Sequence, residues 1–327
     1  MDSIYQATLF FIVVSLSALV ATGALLPLLR KHSILDIPNN RSSHDAPTPK
    51  GGGIALISVI LLAWIASGIY LGSNIFLTLI LPAMALVLAG ISWIDDLRGL
   101  PPIFRLIVQT TAVTAILTIR PAPEVFFQGL LPLILDNFLA GVIWVWFINL
   151  FNFMDGIDGI TGTETIIIGV GIALICNGHV AVIGGLLAAA SAGFIRWNWH
   201  PAKIFLGDVG SVPLGFLVGW LLLNMAGNGM WAAAVILPSY YLFDASITLI
   251  RRALKREKIW QPHRQHFYQK AVERGLSQTK VVSGIALIGI LLISLALLAE
   301  DVWTFSSLCA TVIVNLLFLI VLRGRQS

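Results

Sequence analysis

The chain is a succession of apolar runs, each long enough to enter a bilayer, separated by short polar segments. A membrane crossing needs about 20 mostly apolar residues. Candidate spans fall at roughly 4–29, 52–71, 75–94, 102–119, 137–150, 159–176, 180–196, 211–226, 230–250, 281–299 and 303–322, which makes eleven. Only 11% of the 327 residues are charged and 57% are hydrophobic, with a mean hydropathy of +0.91. A soluble domain carries about 25% charged residues, so this chain has too little polar material to cover a surface facing water. The expected fold class is an all-α polytopic membrane protein, one integral domain over 1–327.

Some details follow from the same runs. The fifth span is short in apolar terms, and "PAPEVFFQGLLPLILD" (121–136) reads as a re-entrant or interfacial piece. The first run lacks a basic leader and continues to Leu29, so it reads as a retained anchor. Cys176 and Cys309 both sit in apolar runs, which points away from a disulfide framework or a thiolate metal site.

Basic residues orient the chain. With the N-terminus on the periplasmic side and the C-terminus in the cytoplasm, the cytoplasmic loops are 30–51, 95–101, 151–158, 197–210 and 251–280. Assigning span-end residues to the nearer side then places nineteen of the twenty Lys and Arg inside, Arg120 being the exception. Topology alone would account for much of that basicity. The acidic residues are the independent observation. Asp95 and Asp96 end the third span in "ISWIDDLRG", Asn149, Asn152, Asp155 and Asp158 follow the fifth in "NLFNFMDGIDG", and Asp208 precedes the eighth in "IFLGDVGS". Lys and Arg set the orientation, yet it also gathers these side chains on one face.

Clustered carboxylates repel and call for a cation. Carboxylate and amide oxygens are hard ligands suited to Mg²⁺ or Mn²⁺, and Mg²⁺ is often held by one or two carboxylates plus substrate phosphates. Positions 149, 152, 155 and 158 repeat every third residue and are expected to share one side of a helix end. Ordinary helix capping explains any one of these residues but not the set. Other segments suit phosphate. Lys50 in "PTPKGGGI" stands beside three glycines whose N–H groups are expected to be exposed. Arg41 and His44 lie in "RSSHD", and His263, Arg264 and His266 in "PHRQH". Arg105, four residues before Gln109, could pair with the Asp95–Asp96 acids or with a phosphate. Asp244, two turns before Arg251, is expected to form an intramembrane ion pair with it.

In their order between apolar spans, "DDLRG", "NLFNFMDGIDG", "IFLGDVGS" and "PHRQH" resemble the polyprenyl-phosphate N-acetylhexosamine-1-phosphate transferases, siblings of the phospho-MurNAc-pentapeptide translocase of peptidoglycan synthesis. The likeness runs from "RSSHDAPTPKGGGI" to the histidine loop. It implies transfer of a sugar 1-phosphate from a UDP-sugar to undecaprenyl phosphate, with release of UMP, at a Mg²⁺ site on the cytoplasmic face of a bacterial inner membrane. By motif, Asp208 would ligate Mg²⁺ with Asn152 as a second ligand. Asp95 and Asp96 would lie beside the metal and the lipid phosphate, as a base or as positioning groups. Asp158 would line the nucleotide base pocket, and His263 and His266 would hold the donor's diphosphate or sugar. The translocase sibling has three consecutive histidines where this chain has His-Arg-Gln-His, which points to the branch that starts O-antigen or other surface polysaccharides. The translocase is the alternative within the enzymes, and a membrane transporter the alternative outside them. Glu164, about a turn inside the sixth span, is the one residue that favours transport. The expected partners are the bilayer, the prenyl phosphate and a UDP-N-acetylhexosamine-type donor, with no nucleic acid; a homodimer is left open.

Overall fold

The computed structural model describes residues 2–38, 46–120, 125–258, 263–300 and 302–324. They form a helical bundle: α1 (Asp2–Lys31), α2 (Gly53–Tyr70), α3 (Leu81–Arg98), α4 (Pro102–Ile119), α5 (Leu133–Phe153), α6 (Ile160–Ile175), α7 (Gly178–Asn198), α8 (Asp208–Gly227), α9 (Trp231–Ile236), α10 (Ser239–Leu254), α11 (Phe267–Glu273), α12 (Gln278–Ala299) and α13 (Thr304–Arg323). A π-helical turn, Phe76–Ile80, leads into α3. The only strands among the described residues are a two-residue antiparallel pair, β1 (Leu35–Asp36) and β2 (Thr48–Pro49).

Nine helical segments among the described residues are long and apolar enough to cross a membrane, and α6 is a shorter apolar helix. The chain is an all-α, multi-pass membrane protein. Two expectations change. The fifth span is a full 21-residue helix, α5, because Leu133–Asp136 joins it rather than forming a separate interfacial piece. Asp136 is buried near its start and accepts the N–H groups of Phe126 and Phe127, tying the preceding turn to the helix. The ninth span is not continuous: 230–250 divides into α9 and α10 around Pro238, which has no N–H to continue the ladder.

Helix α8 is the hub. Of its most apolar window 83% is buried, against 17% for α1 and 28% for α13, whose outward faces carry the bare Leu and Val expected against lipid. Helix α8 packs with α2, α3, α5 and α6. Trp144 of α5 stacks on Phe216 of α8 at 4.8 Å and donates its indole N–H to the Phe216 carbonyl. Burying the first turn of such a helix exposes its unpaired N–H groups to an apolar interior. The residues that meet those groups make the site.

Candidate active site

Asp208 opens α8. Gly207 before it is left-handed, at φ +76°, and a Cβ there would come within 2.7 Å of the Asp96 carboxylate. Glycine lets the chain turn so that the Asp208 and Val209 N–H groups both donate to Asp96, at 3.1 and 3.0 Å. Lys50 closes on the same carboxylate at 2.7 Å. Asp95, at the end of α3, accepts the Leu100 N–H on one oxygen and Arg105 Nη1 on the other at 2.8 Å. Arg105 Nη1 also reaches Asp208 at 3.2 Å. On its other oxygen Asp208 accepts Asn152 Nδ2 at 3.1 Å, and that amide donates as well to Ser211 Oγ at 2.8 Å.

Asp95, Asp96, Asp208, Asn152, Lys50 and Arg105 therefore meet in one cluster. The carboxylates differ in access: side-chain exposure is 25% for Asp208, 7% for Asp95 and 2% for Asp96. All three carboxylates carry protein donors on both oxygens, and Asp208 is the most open of them. Burial works to lower the pKa of Lys50, but the Asp96 and Asp208 carboxylates outweigh it and hold the ammonium above its ordinary value.

Among the described residues, no three His, Cys, Asp or Glu side chains form a ready-made cage. The donor set nevertheless fits a hard cation completed by substrate oxygens. Asp208 offers the most open carboxylate of the three, and the Asn152 amide, donating through its nitrogen, leaves its oxygen as a second hard ligand. Beside the cluster lies a cavity of about 140 Å³ with Asp95, Arg105, Gln109, Asn149 and Asn152 on its polar side and Leu88, Ile91, Leu106 and Val212 among its apolar walls. Leu106 also borders a shallow groove that runs along α4 past Thr110, Thr114 and Thr118.

The third-residue repeat does not converge on one point. Asn149 donates to Gln109, Asn152 to Asp208, and only these two belong to α5. Asp155 lies in the following turn, where burial pushes its carboxyl up to about 7 against a hydrogen bond from Thr161, with nearby Asp208 adding to the rise. Asp158 turns to a different region. It accepts His200 Nδ1 at 2.7 Å and the Ala202 N–H at 3.0 Å, while its own N–H donates to Gln278. Asn198 completes this brace by accepting the Gly159 N–H and donating to the Ile204 carbonyl. His200, Asn198 and Gln278 escaped the sequence reading. Polar residues leaving an apolar run, as in "WNWHPAK", were the available signal.

The glycines after Lys50 are a correction. Their amides are not offered to phosphate: Gly51 and Gly52 donate to the Phe205 carbonyl and Gly53 to Leu206. A Cβ on Gly53 would run into the Gly210 backbone, so the motif serves the close approach of the α2 and α8 ends. Lys50 alone reaches the site.

Asp244 is the second correction. It is fully buried and pairs with His266, not Arg251, whose guanidinium lies over the Phe267 ring at 4.8 Å. Its oxygens accept His266 Nδ1 at 3.1 Å and the N–H groups of Phe267 and Tyr268 at 3.0 and 3.2 Å. His266 is buried and stacks on the more open His263, centroids 4.8 Å apart. Arg264 lies 3.4 Å from Glu273. Tyr268 donates to the Phe153 carbonyl, which joins the histidine loop to the end of α5. Arg41 and His44 lie outside the described residues.

Comparison with known proteins agrees with the motifs. The model of glycosyl transferase family 4 matches residues 77–226. A probable undecaprenyl-phosphate N-acetylglucosaminyl 1-phosphate transferase of Bacillus subtilis is 28% identical over 90% of this chain and 85% of its own length. A decaprenyl-phosphate N-acetylglucosaminephosphotransferase of Mycobacterium leprae is 28% identical over 80% of this chain and 76% of its own. A phospho-N-acetylmuramoyl-pentapeptide-transferase of Microcystis aeruginosa is 26% identical over 77% of this chain and 76% of its own.

Proposed function

We propose that this chain, a member of glycosyl transferase family 4 through residues 77–226, transfers a HexNAc-type sugar 1-phosphate from a UDP-sugar to undecaprenyl phosphate. UMP is released, and the product begins a lipid-linked surface polysaccharide of the O-antigen kind at a bacterial inner membrane, with the site facing the cytoplasm. One observation carries the reading: Asp208, the most open carboxylate of the cluster, is held by Arg105 beside a cavity that is polar at Asp95, Arg105 and Asn152 and apolar toward the groove along α4. A phosphate at the end of a prenyl chain has that polarity.

The charges support the reading. Three carboxylates face two cations in the ion pairs of the cluster, leaving one net negative charge. Mg²⁺, or Mn²⁺, at Asp208 and Asn152 would supply a Lewis acid that neutralises charge developing on the donor diphosphate. The rest falls to the chain. Arg105 orients the lipid phosphate between Asp95 and Asp208, and Lys50 holds Asp96 in place. A lipid phosphate oxygen attacks the sugar-bearing phosphorus, that phosphorus–oxygen bond to UMP breaks, and UMP departs. A phosphomonoester has its second pKa at about 6, so at neutral pH the nucleophile is already largely a dianion. Asp95 and Asp96, nearly closed off from solvent, position rather than abstract a proton. Asn149 belongs to the lipid-phosphate cavity, while Asp155, Asp158 and the His263–Arg264–His266 loop shape the donor side.

The test is UMP release by the purified protein with undecaprenyl phosphate, Mg²⁺ and a panel of UDP-sugars, with Asp208→Ala alongside. One UDP-HexNAc donor should give Mg²⁺-dependent release that the variant abolishes. Release from UDP-MurNAc-pentapeptide alone would favour the translocase instead. No release from any donor by folded protein would overturn the transferase reading.

A further inference from the structure

Away from the carboxylate cluster, α10, α11 and the end of α13 enclose a second, larger cavity of about 760 Å³. Its wall carries Arg251 from α10, Lys255 just beyond that helix, Lys270 from α11, Arg274 just beyond it, and Arg323 from α13. All five are exposed, and none makes an ion pair among the described residues. The one acid in the wall, Glu273, is engaged by Arg264. The Arg274 guanidinium lies against the backbone at Gly324, so the end of α11 and the end of α13 are brought together. Five like charges around one hollow repel one another, and an anion is the natural relief.

The chemistry of the walls narrows the anion. Leu254, 80% exposed, lines the same cavity, and Ile250 lies one turn before it on α10 at 58%. On α13, Ile320 and Val321 are 63% and 67% exposed in the turn before Arg323. These bare side chains flank the cations at the ends of two helices in a membrane protein. A free polyphosphate would use the cations and leave the apolar flank unmet. Basic pockets between membrane helices suit anionic headgroups, whose acyl chains continue along the apolar surface.

We infer that the basic cavity formed by Arg251, Lys255, Lys270, Arg274 and Arg323 is a binding site for an anionic phospholipid of the leaflet it faces, apart from the carboxylate cluster. The lipid would clamp α11 to α13. Because Asp244 and Tyr268 tie α11 to the histidine loop and to α5, headgroup binding would also steady that loop.

The experiment follows the thermal unfolding midpoint of the full chain in a neutral detergent by tryptophan fluorescence. Dioctanoylphosphatidylglycerol is added, with dioctanoylphosphatidylcholine and glycerophosphate as the zwitterionic and chain-free arms. The anionic lipid should raise the midpoint by several degrees and the other two should not. In Arg274→Gln/Arg323→Gln the anionic shift should be lost while the lipid-free midpoint stays in place. If the double variant lowers the lipid-free midpoint, Lys255→Gln/Lys270→Gln, at two exposed residues, takes its place. A full shift surviving in the variant that retains its midpoint would overturn the assignment. So would an equal shift with phosphatidylcholine, and an equal shift with glycerophosphate would mark a site for free phosphate.

Discussion

Replacing Asp244 by Asn tests whether a single buried carboxylate holds the histidine loop. The side chains are nearly the same size, so packing is preserved and only the hydrogen bonds change. One carboxylate oxygen accepts His266 Nδ1 and the Phe267 N–H, and the other accepts the Tyr268 N–H and the Tyr240 hydroxyl. An amide must turn its NH₂ toward one side. Facing Tyr268, it leaves a buried N–H unpaired, at a cost of about 1–3 kcal/mol. The bonds that remain on the other oxygen lose their charged acceptor, worth about 1 kcal/mol each. The sum is roughly 3–5 kcal/mol against the closed loop. Hydrogen exchange at the Phe267 and Tyr268 amides should accelerate about a hundredfold or more, since every 1.4 kcal/mol is tenfold. KM for the UDP-sugar should rise as His263 and His266 lose their place. Unchanged exchange at both amides, with an unchanged KM, would refute the claim that Asp244 anchors the loop.

Other consequences are open to direct measurement. Arg105→Gln removes a cation shared by Asp95 and Asp208; because Arg105 is 34% exposed, screening limits its effect to about 1 kcal/mol, so the Mg²⁺ concentration for half-maximal UMP release should fall about fivefold while turnover also falls. Asp155, with its carboxyl raised to about 7, keeps its proton in the folded protein after the unfolded chain has released it near 4. Stability from this group is therefore full below pH 4 and declines as pH rises toward 7; in EDTA, Asp155→Asn should flatten the fall in unfolding midpoint between pH 5 and pH 8. Gly207→Ala forces an alanine into a backbone region that is essentially glycine-only, at about 1–3 kcal/mol, and drives its Cβ onto Asp96; UMP release should drop sharply with undecaprenyl phosphate and every donor alike.

The membrane class and the positions of the helices were legible because they depend on local apolar length, and the acids gathered on one face because alternating spans carry them there. Residue spacing gave less about partners. The repeat 149, 152, 155, 158 places residues around one axis, but α5 ends at Phe153, and beyond that point each side chain follows its own neighbour. Pro238 marked the break in the ninth span and was read through, since the apolar run continues across it. The central arrangement was the least legible. The N–H groups of 51–53 are taken by carbonyls 205 and 206, which brings Gly53 onto Gly210 and lets Lys50 reach Asp96. This contact joins segments more than 150 residues apart, so neither periodicity nor composition encodes it. The exposed-amide reading of the glycines failed for the same reason: a helix start inside a packed bundle has its free N–H groups met by whichever backbone arrives, and only tertiary structure decides which. The cations that make the carboxylates tolerable, Lys50 and Arg105, also come from other elements, so the electrostatic balance of the site is a property of the assembled bundle rather than of any motif.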